Sequence, residues 1–216
     1  NRYSSSRHLN FILNEVLAVF QLTKHMYFAA HDAGSCNMVL DTAGRIAEKY
    51  MRPFIKETDK LQPELVDGKV KVHKAIAEYY KAFCDGGLMA VSFDEQFGGQ
   101  QLPKTVYAAA DFIIGNAHNG FEMFTSLSNS AANLITTFGT PDMFDTYVTK
   151  LFLGKCTATM CLTETQAGSS LSDIATQALP QQDGTYTIKG QKIFISAGDH
   201  DITENIIHLV LARIKD

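Results

Sequence analysis

One change of pattern, close to Lys155, constrains the fold of this chain more than any other feature of its sequence. Before Lys155, apolar residues recur every three or four positions, which is the spacing of one face of an α-helix. After it, short runs rich in β-branched residues alternate with turn signals. The sequence therefore predicts a mainly α fold, in which an N-terminal helical bundle is followed by a smaller, antiparallel β segment.

The helical part divides into successive segments. Apolar spacing predicts a first helix over residues 6–30 and a second over residues 38–50, with Pro53 ending or bending the second. Thr140-Pro141 predicts another helix start, because a hydroxyl stands at the N-cap and proline at the first helical position. Further apolar stripes predict helices over residues 76–83, 106–117 and 121–138.

The β part contains four candidate strands. They cover residues 157–163, 172–179, 185–196 and 206–214. Gln181-Gln182-Asp183-Gly184 separates the second from the third and is a hairpin signal. Three or four strands leave an open sheet edge, so we expect the β segment to be incomplete within this chain.

The composition excludes several classes of function. The 216 residues carry a net charge of −4 without a Lys/Arg-rich run, which argues against a nucleic-acid partner. No apolar run reaches the roughly 20 residues that span a bilayer. The four cysteines form no CxxC pair, so we expect buried, reduced thiols in a cytoplasmic protein.

Two histidine–aspartate neighbours raise the question of a metal site. No second His/Asp pair stands at helical spacing from His31-Asp32, and we predict a helix end there. His200 lies between Asp199 and Asp201, where we expect a polar turn. The sequence therefore predicts no metal ligand.

The chemically most informative segment spans residues 160–170, MCLTETQAGSS. A strand leads there into a loop of small and hydroxyl-bearing residues, whose backbone N–H groups and short side chains can approach an anion closely. From the residues alone, a phosphate-binding loop and a plain solvated turn both stay open.

Three further segments accompany this loop: residues 93–102 (FDEQFGGQQL), 140–151 and 188–196 (IKGQKIFIS). In this order and at about this spacing, the four segments resemble the acyl-CoA dehydrogenase family. The resemblance implies an N-terminal helical extension (1–35), an N-terminal helical domain (36–155) and an incomplete middle β domain (156–216). The extended N-terminus is similar to a bacterial subgroup that includes the 3-methylmercaptopropionyl-CoA dehydrogenases.

The family binds FAD, and the resemblance assigns this chain a set of residues that contact the flavin ring. It implies that Thr163 and the backbone at Met160 and Leu162 contact the pyrimidine side of the ring. Phe194 stands where tryptophan is usual and is expected to pack against the ring. Ser196 is expected to offer its hydroxyl near the hydride-accepting N5 atom.

The resemblance also assigns loop residues to the cofactor. Gly168 and Ser169 belong to this set, and Ser169 is expected to reach the pyrophosphate or the nearby acyl-CoA. Four further positions depart from the family pattern: Thr165 replaces proline, Ser170 replaces aspartate, Asp94 replaces proline and Gln101 replaces glycine. The first two are expected to loosen the loop.

The resemblance implies that the whole protein performs α,β-dehydrogenation of an acyl-CoA thioester. It also implies an electron-transfer flavoprotein or similar acceptor and a homo-oligomer. The family takes its catalytic base from a C-terminal helical domain, so we expect no catalytic residue in this truncated chain. Two alternatives stay open: a non-catalytic helical interaction domain that retains the scaffold, and a related flavoprotein oxidase or hydroxylase.

Overall fold

The computed structural model describes residues 5–215, and its helical part precedes its β part, as predicted. The helices are α1 (Ser6–Phe11), α2 (Ala33–Ile46), α3 (Ile55–Thr58), α4 (Lys74–Asp85), α5 (Lys104–Ala117), α6 (Asn119–Phe138), α7 (Pro141–Met143) and α8 (Thr149–Phe152). The strands are β1 (Glu64–Val66), β2 (Lys69–Lys71), β3 (Cys156–Cys161), β4 (Gln177–Pro180), β5 (Tyr186–Lys189), β6 (Asn205–Val210) and β7 (Arg213–Ile214). None of the helices within residues 5–215 is long and apolar enough to cross a membrane.

The single helix predicted for residues 6–30 is wrong. Ala18 adopts a left-handed φ of 47°, which a right-handed helix cannot contain. On a continuous helix, Leu13 and Val19 would point about 120° apart. The break lets both side chains, each 3% exposed, enter the same core. The helical pieces around it are α1, a π-helical turn at Ile12–Val16, and 3₁₀-helical turns at Val19–Lys24 and Met26–Phe28.

The N-terminal segment also explains how Gln101 replaces a glycine. Gln101 has a φ of 54°, a conformation that favours glycine. Its side-chain amide donates to the Tyr27 carbonyl at 2.5 Å, and its backbone N–H donates to the Phe93 carbonyl at 2.8 Å. His31 Nε2 donates to the neighbouring Gln100 carbonyl at 2.6 Å. Hydrogen bonds to the N-terminal segment therefore hold Gln101 in a left-handed backbone conformation that usually favours glycine.

Asp32 is the N-cap of α2, so the segment His31-Asp32 lies at the start of a helix, where we predicted the end of one. The Asp32 carboxylate accepts a hydrogen bond from the Ser35 backbone N–H at 2.8 Å. The Ser35 hydroxyl accepts one from the Asp32 N–H at 3.3 Å, which completes a capping box.

The helical core is built around α4 and α6. The aromatic stripe of α4, Tyr79, Tyr80 and Phe83, is at most 1% exposed, which confirms its prediction as core. The Tyr79 hydroxyl donates to Thr125 Oγ1 on α6 at 2.7 Å. Tyr79 and Tyr80 can be buried because each hydroxyl forms a hydrogen bond.

The strand pairings differ from the predicted antiparallel arrangement. Only the β4–β5 hairpin of this region is antiparallel, while β3–β6 and β4–β7 are parallel. β3 and β6 can run parallel because the intervening hairpin and loop carry the chain back to the start of the sheet. β5 ends at Lys189 instead of reaching Ser196. A Cβ atom on the next residue, Gly190, would lie 2.3 Å from Thr176 Oγ1, so the backbone crosses there too closely for another side chain.

Helix α6 fixes the position of β3. Ser128 Oγ on α6 accepts a hydrogen bond from the Ala158 N–H at 3.0 Å, and the Tyr80 hydroxyl donates to the Cys156 carbonyl at 2.7 Å. Ala131 and Ala132 are fully buried against the strand, where their small side chains allow close approach. The amino-terminal half of β3 is therefore held by the helical core.

His200 joins the loop before β6 to both parts of the molecule. The Ile202 N–H donates to Nδ1 at 3.3 Å, so Nε2 carries the proton and donates to Thr157 Oγ1 at 2.8 Å. The ring lies 5.4 Å from that of Phe124 on α6. Burial lowers the pKa of His200 below the usual histidine value. This histidine, 7% exposed, belongs to a buried contact in place of the polar turn that we expected.

The lowered pKa of His200 predicts how stability depends on pH. The unfolded chain binds a proton near pH 6.5 more readily than the folded chain does, so folding stability falls as the pH drops below about 6.5. We expect the unfolding temperature to fall less steeply between pH 7 and pH 5 in His200→Gln than in the wild type. Thermal melts followed by circular dichroism measure the difference. Equal slopes for the two proteins would contradict a buried, neutral His200.

Candidate functional site

One carboxylate organises the loop that follows β3. Glu164 is 4% exposed and accepts four hydrogen bonds. The donors are the backbone N–H groups of Ala175 at 2.7 Å and Thr176 at 3.0 Å, Gln166 Nε2 at 2.6 Å, and Lys192 Nζ at 2.8 Å. The carboxylate thus joins its own loop, the start of β4 and the segment after β5.

Lys192 extends this junction to the end of β3. Its ammonium group is 10% exposed and also donates to the Leu162 carbonyl at 2.9 Å. The Ile193 N–H donates to the Thr163 carbonyl at 3.0 Å. These two bonds hold residues 192–194 against residues 162–163.

The environment of Glu164 favours its ionised form. Lys192, followed by Thr176 and the Ala175 amide, holds the pKa of Glu164 well below the usual glutamate range. Because the folded-state pKa is lowered, the stabilisation is complete at neutral pH and is lost as the pH falls below the usual glutamate value. The loop is therefore held by an ionised carboxylate under all ordinary conditions.

Backbone donors remain open at the end of β3. Within residues 5–215, no group accepts a hydrogen bond from the N–H of Leu162 or Thr163, although both residues are half-buried. A half-buried amide without a partner is costly unless water or a ligand accepts its proton. The loop beyond is closed on itself, since Glu164 and Ala167 exchange backbone hydrogen bonds at 2.9 and 3.2 Å. This arrangement suits an acceptor-bearing planar ligand.

Phe194 lies beside these donors with an exposed side chain and a left-handed backbone. Its side chain is 89% exposed, and its backbone φ of 57° is left-handed. Such a conformation costs on the order of 1–3 kcal/mol for a residue with a side chain and is concentrated at functional sites. The predicted strand over residues 185–196 did not include this left-handed turn at Phe194, because the turn leaves the periodicity of these residues unchanged.

The structure brings part of the predicted site together. Leu162 and Thr163 directly follow β3 and lie beside Phe194, and Met160 lies on β3 itself. Ser196 is exposed two residues beyond Phe194. The remaining two predicted residues, Gly168 and Ser169, are exposed at the loop that Ala167 closes, and their N–H groups donate to no group within the described residues.

Sequence reasoning missed Glu164 and Lys192 as the residues that organise this site. Both lie inside the segments that carry the family resemblance. The available signal was their chemistry: Glu164 is the one charged residue between Lys155 and Asp173, and Lys192 carries a positive charge directly before an apolar, β-branched run. Charged residues are rarely buried without a partner, so the two segments each required an opposite charge.

Comparison with known proteins decides the family. Residues 35–155 match the model of the acyl-CoA dehydrogenase N-terminal domain, which is more than half of the chain. The chain belongs to the acyl-CoA dehydrogenase family. It is 40% identical over 177 residues to the 3-methylmercaptopropionyl-CoA dehydrogenase of Ruegeria pomeroyi, an alignment that covers 82% of this chain and 30% of that protein.

Further acyl-CoA dehydrogenases match over comparable lengths. A broad-specificity linear acyl-CoA dehydrogenase of Mycobacterium tuberculosis is 33% identical over 215 residues, covering 97% of this chain and 34% of the relative. The solved butyryl-CoA dehydrogenase of Megasphaera elsdenii is 28% identical, with a TM-score of 0.64, covering 76% of this chain and 41% of that one. The chain therefore spans about a third of the length of the curated relatives that it matches.

Removing Lys192 tests the junction at Glu164. In Lys192→Met, the buried carboxylate loses its cation, and we expect the unfolding temperature to fall by several degrees. The double variant Glu164→Gln, Lys192→Met is expected to recover part of this loss, because no buried charge remains unpaired.

A matched control exists on the surface of α4. Lys81 pairs with Asp85 at 2.5 Å, but their side chains are 74% and 61% exposed. Lys81→Met is therefore expected to leave the unfolding temperature nearly unchanged. Equal losses in Lys81→Met and Lys192→Met, compared by differential scanning calorimetry, would show that Glu164 needs no buried partner.

Proposed function

We propose that this chain is the FAD-contacting portion of an FAD-dependent acyl-CoA dehydrogenase that performs α,β-dehydrogenation of an acyl-CoA thioester. The observation that carries the proposal is the pair of open amides at Leu162 and Thr163, held beside an exposed aromatic ring at Phe194. A bundle that served only as a scaffold has no need of a strained, solvent-facing phenylalanine next to unpaired donors.

The residues present fit a flavin. Its pyrimidine ring carries carbonyl oxygens and a ring nitrogen, which the N–H groups of Leu162 and Thr163 would bind. The Phe194 ring offers an apolar face for the isoalloxazine. The N–H groups and hydroxyl at Gly168 and Ser169 would bind the pyrophosphate.

Bound flavin supplies the hydride acceptor, and the protein supplies binding and orientation. The Glu164–Lys192 pair fixes the end of β3 relative to residues 192–194. The groups that would contact the flavin ring are therefore in position before the cofactor binds. Ser196, exposed beyond Phe194, would place a hydroxyl near the reacting edge of the ring. Orientation by a rigid site lowers the entropic part of the barrier to hydride transfer.

The remaining functions belong to the whole protein. We propose that the catalytic base comes from a helical domain outside these 216 residues. Residues 1–35, 36–155 and 156–216 would then be an extension, the N-terminal domain and part of the middle domain. An electron-transfer flavoprotein or similar acceptor, and a homo-oligomeric assembly, complete the proposal.

Cofactor content tests the proposed function. The longest natural gene product that contains this chain should purify with the yellow absorbance of bound flavin and should reduce it on addition of an acyl-CoA. We expect the 216-residue chain alone to bind FAD more weakly, because it spans only about a third of the length of its relatives. A folded, colourless full-length protein that takes up no FAD would instead support a non-catalytic scaffold.

Variants of Phe194 test the site itself. Stacking of one aromatic ring contributes about 0.5–1.5 kcal/mol, so Phe194→Ala should weaken FAD binding roughly three- to tenfold in that same protein. Phe194→Trp should retain affinity. The control is Phe138→Ala, since Phe138 is 81% exposed on α6 away from the loop. Fluorescence titration measures the affinities, and an unchanged affinity in Phe194→Ala would exclude Phe194 from the site.

A further inference from the structure

A second cluster of reactive side chains lies on the opposite face of β3. Cys161 Sγ lies 3.8 Å from His208 Nδ1 on the neighbouring strand β6. The Thr159 hydroxyl lies 2.7 Å from the same nitrogen and 3.3 Å from the sulfur. A thiol within reach of an imidazole can transfer its proton to that base, which generates the nucleophilic thiolate.

A cavity of about 280 Å³ opens beside this cluster. Its wall includes Cys161, His208, Lys192 and Thr176, together with apolar side chains of β5 and β6. Thr176 is 2% exposed. Its hydroxyl lies near Glu164 but completes no hydrogen bond within the described residues. A buried hydroxyl without a partner, facing a cavity, indicates room for a small polar ligand.

The other three cysteines provide an internal comparison. Cys36, Cys84 and Cys156 are 1%, 8% and 4% exposed, against 6% for Cys161, so accessibility alone does not separate them. Burial raises the pKa of all three, that of Cys84 to about 12. Within residues 5–215, only Cys161 has an imidazole in contact with its sulfur.

We propose that Cys161 is a site of oxidation by hydrogen peroxide, with His208 as the base that activates its thiol. His208 Nδ1 takes the thiol proton, and the thiolate attacks one peroxide oxygen. The O–O bond breaks, and the departing hydroxide recovers the proton from His208 as water. The sulfur is oxidised by two electrons to sulfenic acid, and the peroxide is reduced to water.

The position of Cys161 links this chemistry to the flavin-facing edge of β3. The residue stands between Met160 and Leu162, and its side chain points to the opposite face of the strand from theirs. Oxidation adds an oxygen atom inside the cavity without occupying the proposed flavin face. The oxidation of Cys161 does not depend on FAD binding by this chain. An experiment can therefore contradict the oxidation without contradicting FAD binding, and the reverse.

Peptide mass spectrometry tests the proposal on the 216-residue chain. The protein is treated with a limiting amount of hydrogen peroxide in the presence of dimedone, which traps sulfenic acid. Cys161 should be labelled at least about tenfold faster than Cys84, because the thiolate is the reacting species. Labelling of Cys161 no faster than that of Cys84, which is slightly more exposed, would overturn the proposal.

Two variants separate base catalysis from packing. His208→Asn should slow the labelling of Cys161 roughly tenfold, while the far-ultraviolet circular dichroism stays unchanged, because His208 is exposed. Thr159→Val removes the hydroxyl that competes with the Cys161 thiol for His208 Nδ1. Cys161 should therefore be labelled at least as fast in this variant as in the wild type. Slower labelling in Thr159→Val with normal labelling in His208→Asn would assign the reactivity to Thr159 and contradict the role of His208.

Discussion

The β part of this chain depends on the buried ion pair between Glu164 and Lys192. Glu164 and Lys192 come from segments 28 residues apart, and each is almost completely removed from water. Removing two charges from water is costly, and the cost is offset here because the carboxylate accepts four hydrogen bonds and the ammonium group also binds a backbone carbonyl. Since these bonds reach several segments of the chain, the pair fixes the loop after β3, the start of β4 and residues 192–194 together.

The open donors of the candidate site result from that arrangement. The helical core holds β3 through Ser128 and Tyr80, and the ion pair holds the loop after the strand. Between these two anchors, the backbone at Leu162 and Thr163 is rigid but has no partner for its N–H groups within the described residues. A rigid, unsatisfied edge beside an exposed aromatic side chain is a preorganised binding surface, and a flavin matches both its polar and its apolar requirements.

The helical order of the chain was predictable because it rests on local periodicity and capping, as at Thr140. The break at Ala18 was not, since it depends on which side chains reach a distant core. The residues that contact the proposed flavin were identified through family segments. Their organisation escaped prediction, because the ion pair between Glu164 and Lys192 and the turn at Phe194 arise from contacts between separated segments. The parallel pairing of β3 with β6 is long-range for the same reason.

We propose that the ion pair presents open backbone donors to a flavin. Amide hydrogen exchange, measured in the longest natural product that contains this chain, tests this proposal. The amides of Ala175 and Thr176, which bind Glu164, should exchange slowly with or without FAD. The amides of Leu162 and Thr163 should exchange rapidly without FAD and slowly at saturating FAD. Unchanged exchange at Leu162 and Thr163 on saturation with FAD would contradict the account.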